Sequence, residues 1–175
     1  MRKLKNEELE RLTIEQFKKS DKSEIVIVLD NIRSLNNIGS LFRTSDAFLV
    51  KQIHLCGITA QPPHREIQKT ALGATESVDW RYFENPVESV LLLKKGGYQI
   101  VAIEQIDKSI RLENFFPQQN QKYAFIFGNE INGVSEAILE YTDFCVEIPQ
   151  FGTKHSFNVS VSAGIILWHV YMHSN

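Results

Sequence analysis

Short apolar runs alternate along the chain with segments whose apolar residues recur at helical spacing. Six runs have the length and composition of β-strands, several of them apolar on both faces, and they lie at 25–29, 52–56, 78–83, 99–103, 123–127 and 144–148. Helical patterns fall at 37–49, 86–95, 134–141 and 157–172. Strands that alternate with helices predict an α/β fold, in which helices cover both faces of a parallel sheet.

The first 22 residues depart from this pattern because they are charged throughout, with seven basic and five acidic residues. Apolar residues recur among them at a spacing that gives a partial stripe on one side of a helix, at Leu4, Leu9, Leu12 and Phe17. We therefore expect an N-terminal helical extension at 1–22, followed by a single domain at 23–175.

The composition narrows the classes of protein. The chain has 175 residues, 43% of them hydrophobic and 23% charged, which suits one soluble domain with a substantial core. A formal net charge of −2 means that any binding to nucleic acid depends on local patches. No stretch resembles a signal peptide or a membrane span, and Cys56 and Cys145 suit two reduced thiols, so we expect a cytoplasmic protein. His169 and His173 have no third ligand nearby, and we expect no metal site.

The first segment with chemical content follows the strand at 25–29. Asn36 or Asn37 can cap the next helix, and Gly39 permits close approach of a backbone or a ligand. Arg43 points away from the predicted buried stripe of Ile38, Leu41, Phe42, Ser45 and Phe48. An arginine beside a helix N-terminus suits an anion pocket, whereas the simpler alternative is that Arg43 only pairs with Asp46.

The second segment, 123–135, runs from an apolar strand into a glycine-bearing loop. It nearly matches the phosphate-binding pattern GxxxxGK[ST], but Val134 stands at the lysine position and Glu130 would repel a polyanion. The loop therefore suits a neutral or cationic ligand that backbone amides and carbonyls recognise, and the sulfonium of S-adenosylmethionine fits that description.

The third segment, 147–164, contains a loop with proline and glycine and then a helix that begins at Ser156 or Asn158. The helix is apolar almost all round, and small residues within it permit very close packing. Such a helix is either fully buried or part of a homodimer contact.

Together the three segments resemble the motifs of the SpoU (TrmH-like) family of RNA methyltransferases, within the SPOUT superfamily. NxGxxxRT matches 37–44, FGNExxG matches 127–133 and IPxxGxxxSxNVSVxxG matches 148–164, in the family's order and at similar spacing. The resemblance implies a Rossmann-like parallel sheet with a C-terminal trefoil knot, an obligate homodimer, and S-adenosylmethionine-dependent 2′-O-ribose methylation of RNA.

The resemblance also implies the residues of the site. The methyl donor is expected to lie against Gln105, Gly128, Ile148 and Phe157, largely through backbone groups. The polar residues associated with activity are Asn37, Arg43, Glu130, Ser156 and Asn158. Phe157 stands where the family usually has leucine, and the loop at 150–155 departs from the family's commoner sequence.

A ribose 2′-hydroxyl is a poor nucleophile, so an enzyme must align it with the methyl group and help to remove its proton. A guanidinium is protonated at neutral pH and is a costly base. We expect Arg43 to grip the adjacent phosphate and stabilise the developing alkoxide, while the phosphate or a water accepts the proton. Asn37 would orient Arg43, and Ser156 and Asn158 would shape the loop beside the donor, with no metal needed.

Contacts to RNA are expected from basic side chains in loops, namely Arg33, His64, Arg65, Lys69 and Lys154. Phosphate contacts would make the affinity fall as salt rises. The N-terminal helix either faces RNA or docks on the domain. There is little room for a separate RNA-recognition domain, which slightly favours transfer RNA over ribosomal RNA.

Two other functions compete with this interpretation. A catalytically silent RNA-binding module on the same fold would bind RNA without turnover, and the complete set of five polar residues disfavours it. A nucleotide-dependent oxidoreductase or kinase is weaker still, because the sequence has neither GxGxxG nor GxxxxGK[ST].

Overall fold

The structure is a computed structural model and describes residues 1–174; Asn175, the last residue of the predicted domain, lies outside it. The strands are β1 (Ser23–Asp30), β2 (Val50–Cys56), β3 (Trp80–Phe83), β4 (Gln99–Ile103), β5 (Ile110–Arg111), β6 (Tyr123–Gly128) and β7 (Phe144–Glu147). The α-helices are α1 (Ile14–Lys19), α2 (Leu35–Ala47), α3 (Arg65–Ala71), α4 (Ala74–Ser77), α5 (Pro86–Lys95), α6 (Glu136–Leu139) and α7 (Val159–Ser174). Short 3-10 helices lie at Asn6–Leu9 and Leu112–Asn114.

All seven strands belong to one sheet, in the order β3-β2-β1-β6-β4-β7-β5, and every pairing is parallel. The predicted α/β fold with a parallel sheet is therefore confirmed, and so are the six predicted strands. The sequence did not indicate β5, because a strand of two residues is too short to give a pattern.

The core has two layers, one on each face of the sheet, and β1 shows how one sequence fills both. Ile25, Ile27 and Leu29 belong to the layer that also contains buried residues of α2 and α7. The intervening Val26 and Val28 belong to the opposite layer, which contains buried residues of α5 and α6. Successive side chains of a strand point to opposite faces, so a continuous apolar run is required where both faces are covered.

The predicted N-terminal helix over 1–22 is wrong. A 3-10 turn and α1 take its place, and Thr13 caps α1 by accepting the backbone N–H of Gln16. Of the predicted apolar stripe, Phe17 is buried in the core, whereas Leu4 and Leu12 remain more than half exposed. Charged sequences with few apolar anchors gain little from packing, so only the anchored turn stays helical.

The segment between β2 and β3 contains two helices that the sequence did not predict, α3 and α4. Their seven and four residues are too short for a clear helical period. The helix expected at 134–141 is likewise shorter, spanning four residues of α6. Tertiary packing against α2 holds α3 in place, as described below.

Cys56 and Cys145 are both free and buried, as expected for structural thiols. Among residues 1–174, no helix is long and apolar enough to cross a membrane.

His54 in β2 is an ionisable group enclosed by the core, with 1% of its surface exposed. Gln52 Oε1 lies 2.9 Å from Nε2, and Ser89 Oγ lies 2.7 Å from Nδ1. This arrangement suits a neutral imidazole that donates to Gln52 and accepts from Ser89. Burial, and secondarily the charge of Arg81, lower the pKa of His54 to about 4.

We predict that the protein loses stability in mild acid because of His54. An unfolded histidine has a pKa of about 6.5, so the unfolded state binds more protons between pH 6.5 and 4. The stabilisation is complete above pH 6.5 and is lost as the pH falls towards 4, by roughly 3 kcal/mol. Urea unfolding across this range measures the loss. His54→Gln should flatten the dependence of the free energy of unfolding on pH. The control His64→Gln, at an exposed site, should keep the wild-type slope. Equal slopes in all three proteins would contradict the prediction.

Candidate functional site

A cavity of about 390 Å³ opens beyond the carboxyl ends of β4, β6 and β7. Its walls are formed mainly by residues 103–105, 127–133, 147–148 and 155–157. Ligands of open parallel sheets bind at this end of the strands, and the volume is in the range of small-molecule sites. The fold therefore places the second and third sequence segments around one cavity.

The glycine-bearing loop after β6 is closed on itself. Gly133 donates its N–H to the carbonyl of Asn129 at 2.9 Å, and the Asn129 side-chain oxygen accepts the N–H groups of Ile131 and Asn132. The Cβ of any larger residue at Gly128 would lie 1.9 Å from the Gly133 carbonyl carbon. Only glycine fits there, so the loop keeps one compact shape.

Two carboxylates continue this pattern past the loop. Val134 donates its N–H to Glu104 Oε2 at 2.9 Å, and Ser135 donates to Asp30 Oδ2 at 2.8 Å. Five consecutive N–H groups, from 131 to 135, thus have partners within the protein. A P-loop needs such groups free for phosphate. The expectation that this loop offers its amides to a ligand is wrong for these five residues, and the exclusion of a triphosphate is strengthened.

Val134, which stands where a P-loop has its lysine, is buried in the core, and this also argues against a triphosphate site.

The four residues expected at the methyl donor, Gln105, Gly128, Ile148 and Phe157, all line the cavity. Gln105 also donates its side-chain amide to the carbonyl of His155 at 3.1 Å, which joins the loop after β4 to the loop before α7. Glu130 and Ser156 line the same cavity.

A chain of side-chain hydrogen bonds joins the three sequence segments at the edge of the cavity. Asn37 donates to Glu130 Oε1 at 2.7 Å, and Asn158 donates to Asn37 Oδ1 at 3.0 Å. Asn158 Oδ1 in turn accepts the backbone N–H of Ser160, so Asn158 caps α7. Because each amide both donates and accepts, the orientation of all three side chains is fixed.

The first segment differs from its expected geometry in two respects. Ser34, rather than Asn36 or Asn37, caps α2 by accepting the N–H of Asn37. Gly39 is approached by protein backbone, since a Cβ there would lie 2.2 Å from the Ile67 carbonyl oxygen of α3.

Arg43 lies in the third turn of α2, so the expected position beside a helix N-terminus is wrong. The Arg43 side chain is exposed and does not line the cavity. It borders a separate groove, whose walls include Leu12, Thr13, Ile14 and Phe17 of the N-terminal segment. The alternative pairing with Asp46 is not observed, because Asp46 accepts the hydroxyl of Ser77 and Arg43 has no ion pair within residues 1–174.

The basic residues expected to contact RNA are dispersed. Arg33 and Lys154 are exposed in loops, as predicted. His64 also lies in a loop, at its end, where it caps α3 by accepting the N–H of Glu66, whereas Arg65 and Lys69 belong to the helix, contrary to the prediction. Lys69 also pairs with Glu66 at 2.7 Å.

Helix α7 is not fully buried within one chain. Val159, Ala163, Ile166, Leu167 and Val170 pack into the core, and an opposite apolar face remains exposed. We call this the α7 face; it comprises Val161, Trp168, Tyr171 and Met172, each 50–55% exposed.

In the part of the chain that the structure describes, no group of three or more potential metal ligands occurs. The paired histidines contact backbone carbonyls instead, His169 that of Phe115 and His173 that of His169.

Comparison with known proteins decides the family. Residues 24–168 match the sequence model of the SpoU rRNA Methylase family, which is most of the chain. The chain belongs to this family. The resemblance inferred from the three motifs is thereby confirmed.

Individual relatives agree with this assignment. A tRNA (guanosine(18)-2′-O)-methyltransferase of Borreliella burgdorferi is 30% identical over 148 residues, which cover 85% of this chain and 66% of that protein. The crystal structure of the A. aeolicus TrmH/SpoU tRNA modifying enzyme has a TM-score of 0.78 and 28% identity, over 90% of this chain and 78% of that one. An AdoMet-bound rRNA methyltransferase from Sinorhizobium meliloti shares the fold, with a TM-score of 0.80 and 24% identity over 87% and 57%.

The chain spans about two thirds or less of the length of several curated relatives that it matches, 66% and 56% in two cases.

Sequence reasoning missed two residues of the site, Asp30 and Glu104. Each is an acidic residue at the carboxyl end of an apolar strand that points towards the ligand edge. That position was a usable signal, because charged residues directly after a buried strand of a parallel sheet lie at its binding edge.

We predict that Asn37→Asp lowers the stability of the protein. The substitution replaces an amide donor with a carboxylate that faces Glu130, so a hydrogen bond becomes a repulsion. The expected loss is about 1 kcal/mol in the free energy of unfolding, measured by urea denaturation at pH 7. Asn36→Asp, on the exposed neighbour in the same helical turn, is the matched control. Equal unfolding midpoints for the two variants would refute the role of this bond.

Proposed function

We propose that the protein transfers a methyl group from S-adenosylmethionine to a ribose 2′-hydroxyl of RNA. The observation that carries the proposal is the hydrogen-bonded set Asn37, Glu130 and Asn158, which unites three distant motif segments beside a cavity at the ligand edge of the sheet. Membership of the SpoU family and the 2′-O-methyltransferase relatives support it.

The residues of the cavity fit S-adenosylmethionine. Three carboxylates line it, those of Glu104, Glu130 and Glu147, and the lining has no lysine or arginine. This suits a cationic sulfonium and opposes a polyanion. Ile103, Ile148 and Phe157 offer apolar surface for the adenosine. The donor itself supplies an activated methyl group, and the protein supplies position and electrostatics.

The remaining task is to hold the ribose and help its proton to leave. Asn37, Glu130 and Asn158 fix the edge of the cavity against which the nucleotide docks, and Ser156 lines the loop beside the donor. Arg43, exposed and without an ion pair among the described residues, is free to grip the phosphate next to the target ribose and stabilise the developing alkoxide. The phosphate or a water then accepts the proton.

A homodimer completes this site. Arg43 does not line the cavity of its own chain, so within one chain the guanidinium and the donor site are separate. The α7 face leaves stacked aromatic rings exposed, with Trp168 and Tyr171 5.8 Å apart. A second copy that covers this face would bury apolar surface and bring a partner's Arg43 towards the cavity. We include in the proposal the C-terminal trefoil knot that the family implies.

We place the target among structured cytoplasmic RNAs, with transfer RNA favoured over ribosomal RNA. A relative that modifies guanosine 18 of tRNA supports this choice. The candidate RNA contacts are the loop residues Arg33, His64 and Lys154 and the α3 residues Arg65 and Lys69. The silent RNA-binding module remains the competing function, and methyl transfer separates the two.

We predict methyl transfer from labelled S-adenosylmethionine into fractionated total RNA, with mass spectrometry of the nucleosides showing 2′-O-methylation. Arg43→Lys should lower kcat by at least tenfold, because a lysine cannot reproduce the planar, two-pronged contact with phosphate. Its affinity for the donor should be unchanged. If the protein binds RNA normally but transfers label to no RNA, it is the silent RNA-binding module instead. If Arg43→Lys has a near-normal kcat, the proposed role of Arg43 is rejected.

We predict that Trp168→Glu converts the dimer into a monomer, because it introduces a charge into the centre of the α7 face. Light scattering coupled to gel filtration measures the mass. Leu91→Glu places the same charge on α5, where Leu91 is 46% exposed, and should leave the dimer intact. Loss of methyl transfer is expected to accompany the monomer. A monomeric wild-type protein would defeat this part of the proposal.

A further inference from the structure

Glu104 stands out among the residues of the cavity because its one carboxylate contacts two of the segments that form the wall. Oε1 accepts the backbone N–H of Gln105 at 2.9 Å, and Oε2 accepts that of Val134 at 2.9 Å. The first contact is local, to the next residue of the chain, and the second connects the end of the loop after β6 to the end of β4. Both segments border the same cavity.

The backbone of Glu104 is itself held rigidly. Its N–H donates to the carbonyl of Val146 in β7 at 3.1 Å, which extends the pairing of β4 with β7 by one residue. A side chain on a fixed sheet edge can therefore set the position of a loop that has no strand partner of its own.

The loop is shaped to meet this carboxylate. Gly133 has a φ of +66°, and a Cβ there would lie 2.1 Å from Glu104 Oε2. A side chain at Gly133 would therefore be strained by this φ and would push the Glu104 carboxylate away from the loop. Gly133 in turn closes onto Gly128, whose own Cβ would collide with it. Through Gly133, Glu104 therefore also fixes the position of Gly128, which lines the cavity.

We propose that Glu104 is a positioning residue for the methyl donor, which fastens the loop 128–134 against the end of β4 and so keeps the donor cavity in its binding shape. The inference rests on the proposed function only in the identity of the ligand. Glu104 is distinct from Glu130, which bonds to Asn37, and from Glu147, whose carboxylate forms no hydrogen bond with the described residues.

The test compares Glu104→Gln with Glu147→Gln by calorimetric titration of S-adenosylmethionine. Each substitution removes one negative charge from the lining of the cavity. The comparison therefore separates the effect of losing the contact that positions the loop from the effect of losing a charge. A glutamine can accept one of the two N–H groups, but its NH₂ group then faces the other donor. We expect Glu104→Gln to weaken donor binding by at least tenfold and Glu147→Gln by less than threefold, with the affinity for RNA unchanged in both.

Amide exchange in the wild-type protein gives a second measurement that needs no variant to fold. The Val134 N–H should be protected without ligand and exchange more slowly still when S-adenosylmethionine is added, since the donor stabilises the fastened loop. Equal donor affinities for the two variants, or a Val134 N–H that exchanges freely, would overturn the inference. Failure of the wild type to bind S-adenosylmethionine would instead overturn the proposed function, while Val134 protection would still test the contact with Glu104.

Discussion

Strand β1 is paired on both edges, with β2 on one side and β6 on the other, and its side chains alternate between two buried layers. A strand enclosed in this way offers a ligand neither an edge nor a face, and only its ends remain accessible. Because all strands of the sheet run in the same direction, the carboxyl ends of β1, β4, β6 and β7 lie together. The location of the site follows from this arrangement.

At that edge the backbone N–H groups of the loop after β6 already form hydrogen bonds within the protein. The loop after β6 pairs five successive N–H groups internally, two of them with the strand-end carboxylates of Asp30 and Glu104. A loop with a glycine pattern close to that of a nucleotide-binding protein is thus unsuited to phosphate. The carboxylates of Glu104, Glu130 and Glu147 line the cavity itself, which suits a cationic donor.

Because Arg43 lies apart from the cavity within one chain, the proposed chemistry is assigned to a homodimer. Arg43 and Asn37 are six residues apart on α2, about 9 Å along the helix axis, and only Asn37 bonds to a residue of the cavity wall. The exposed apolar face of α7 lies on the same side of the sheet as α2, since both helices contribute to one core layer. The features that favour association and the residue proposed to act on the substrate therefore belong to one region of the molecule.

The sequence by itself determined the fold class, six of the seven strands, the family and six of the residues that line the cavity. These depend on local periodicity and on motif order, both of which a linear pattern records. Only the tertiary structure decided which helices form between β2 and β3, that Ser34 caps α2, and that the N-terminal segment is mostly not helical. It also decided that Asn37, Glu130 and Asn158 bond to one another across 93 and 121 residues of chain, and that Glu104 holds a loop 30 residues away. The reason is physical: periodicity reports which side of an element is buried, whereas a hydrogen bond between distant side chains depends on how the completed sheet brings its strand ends together.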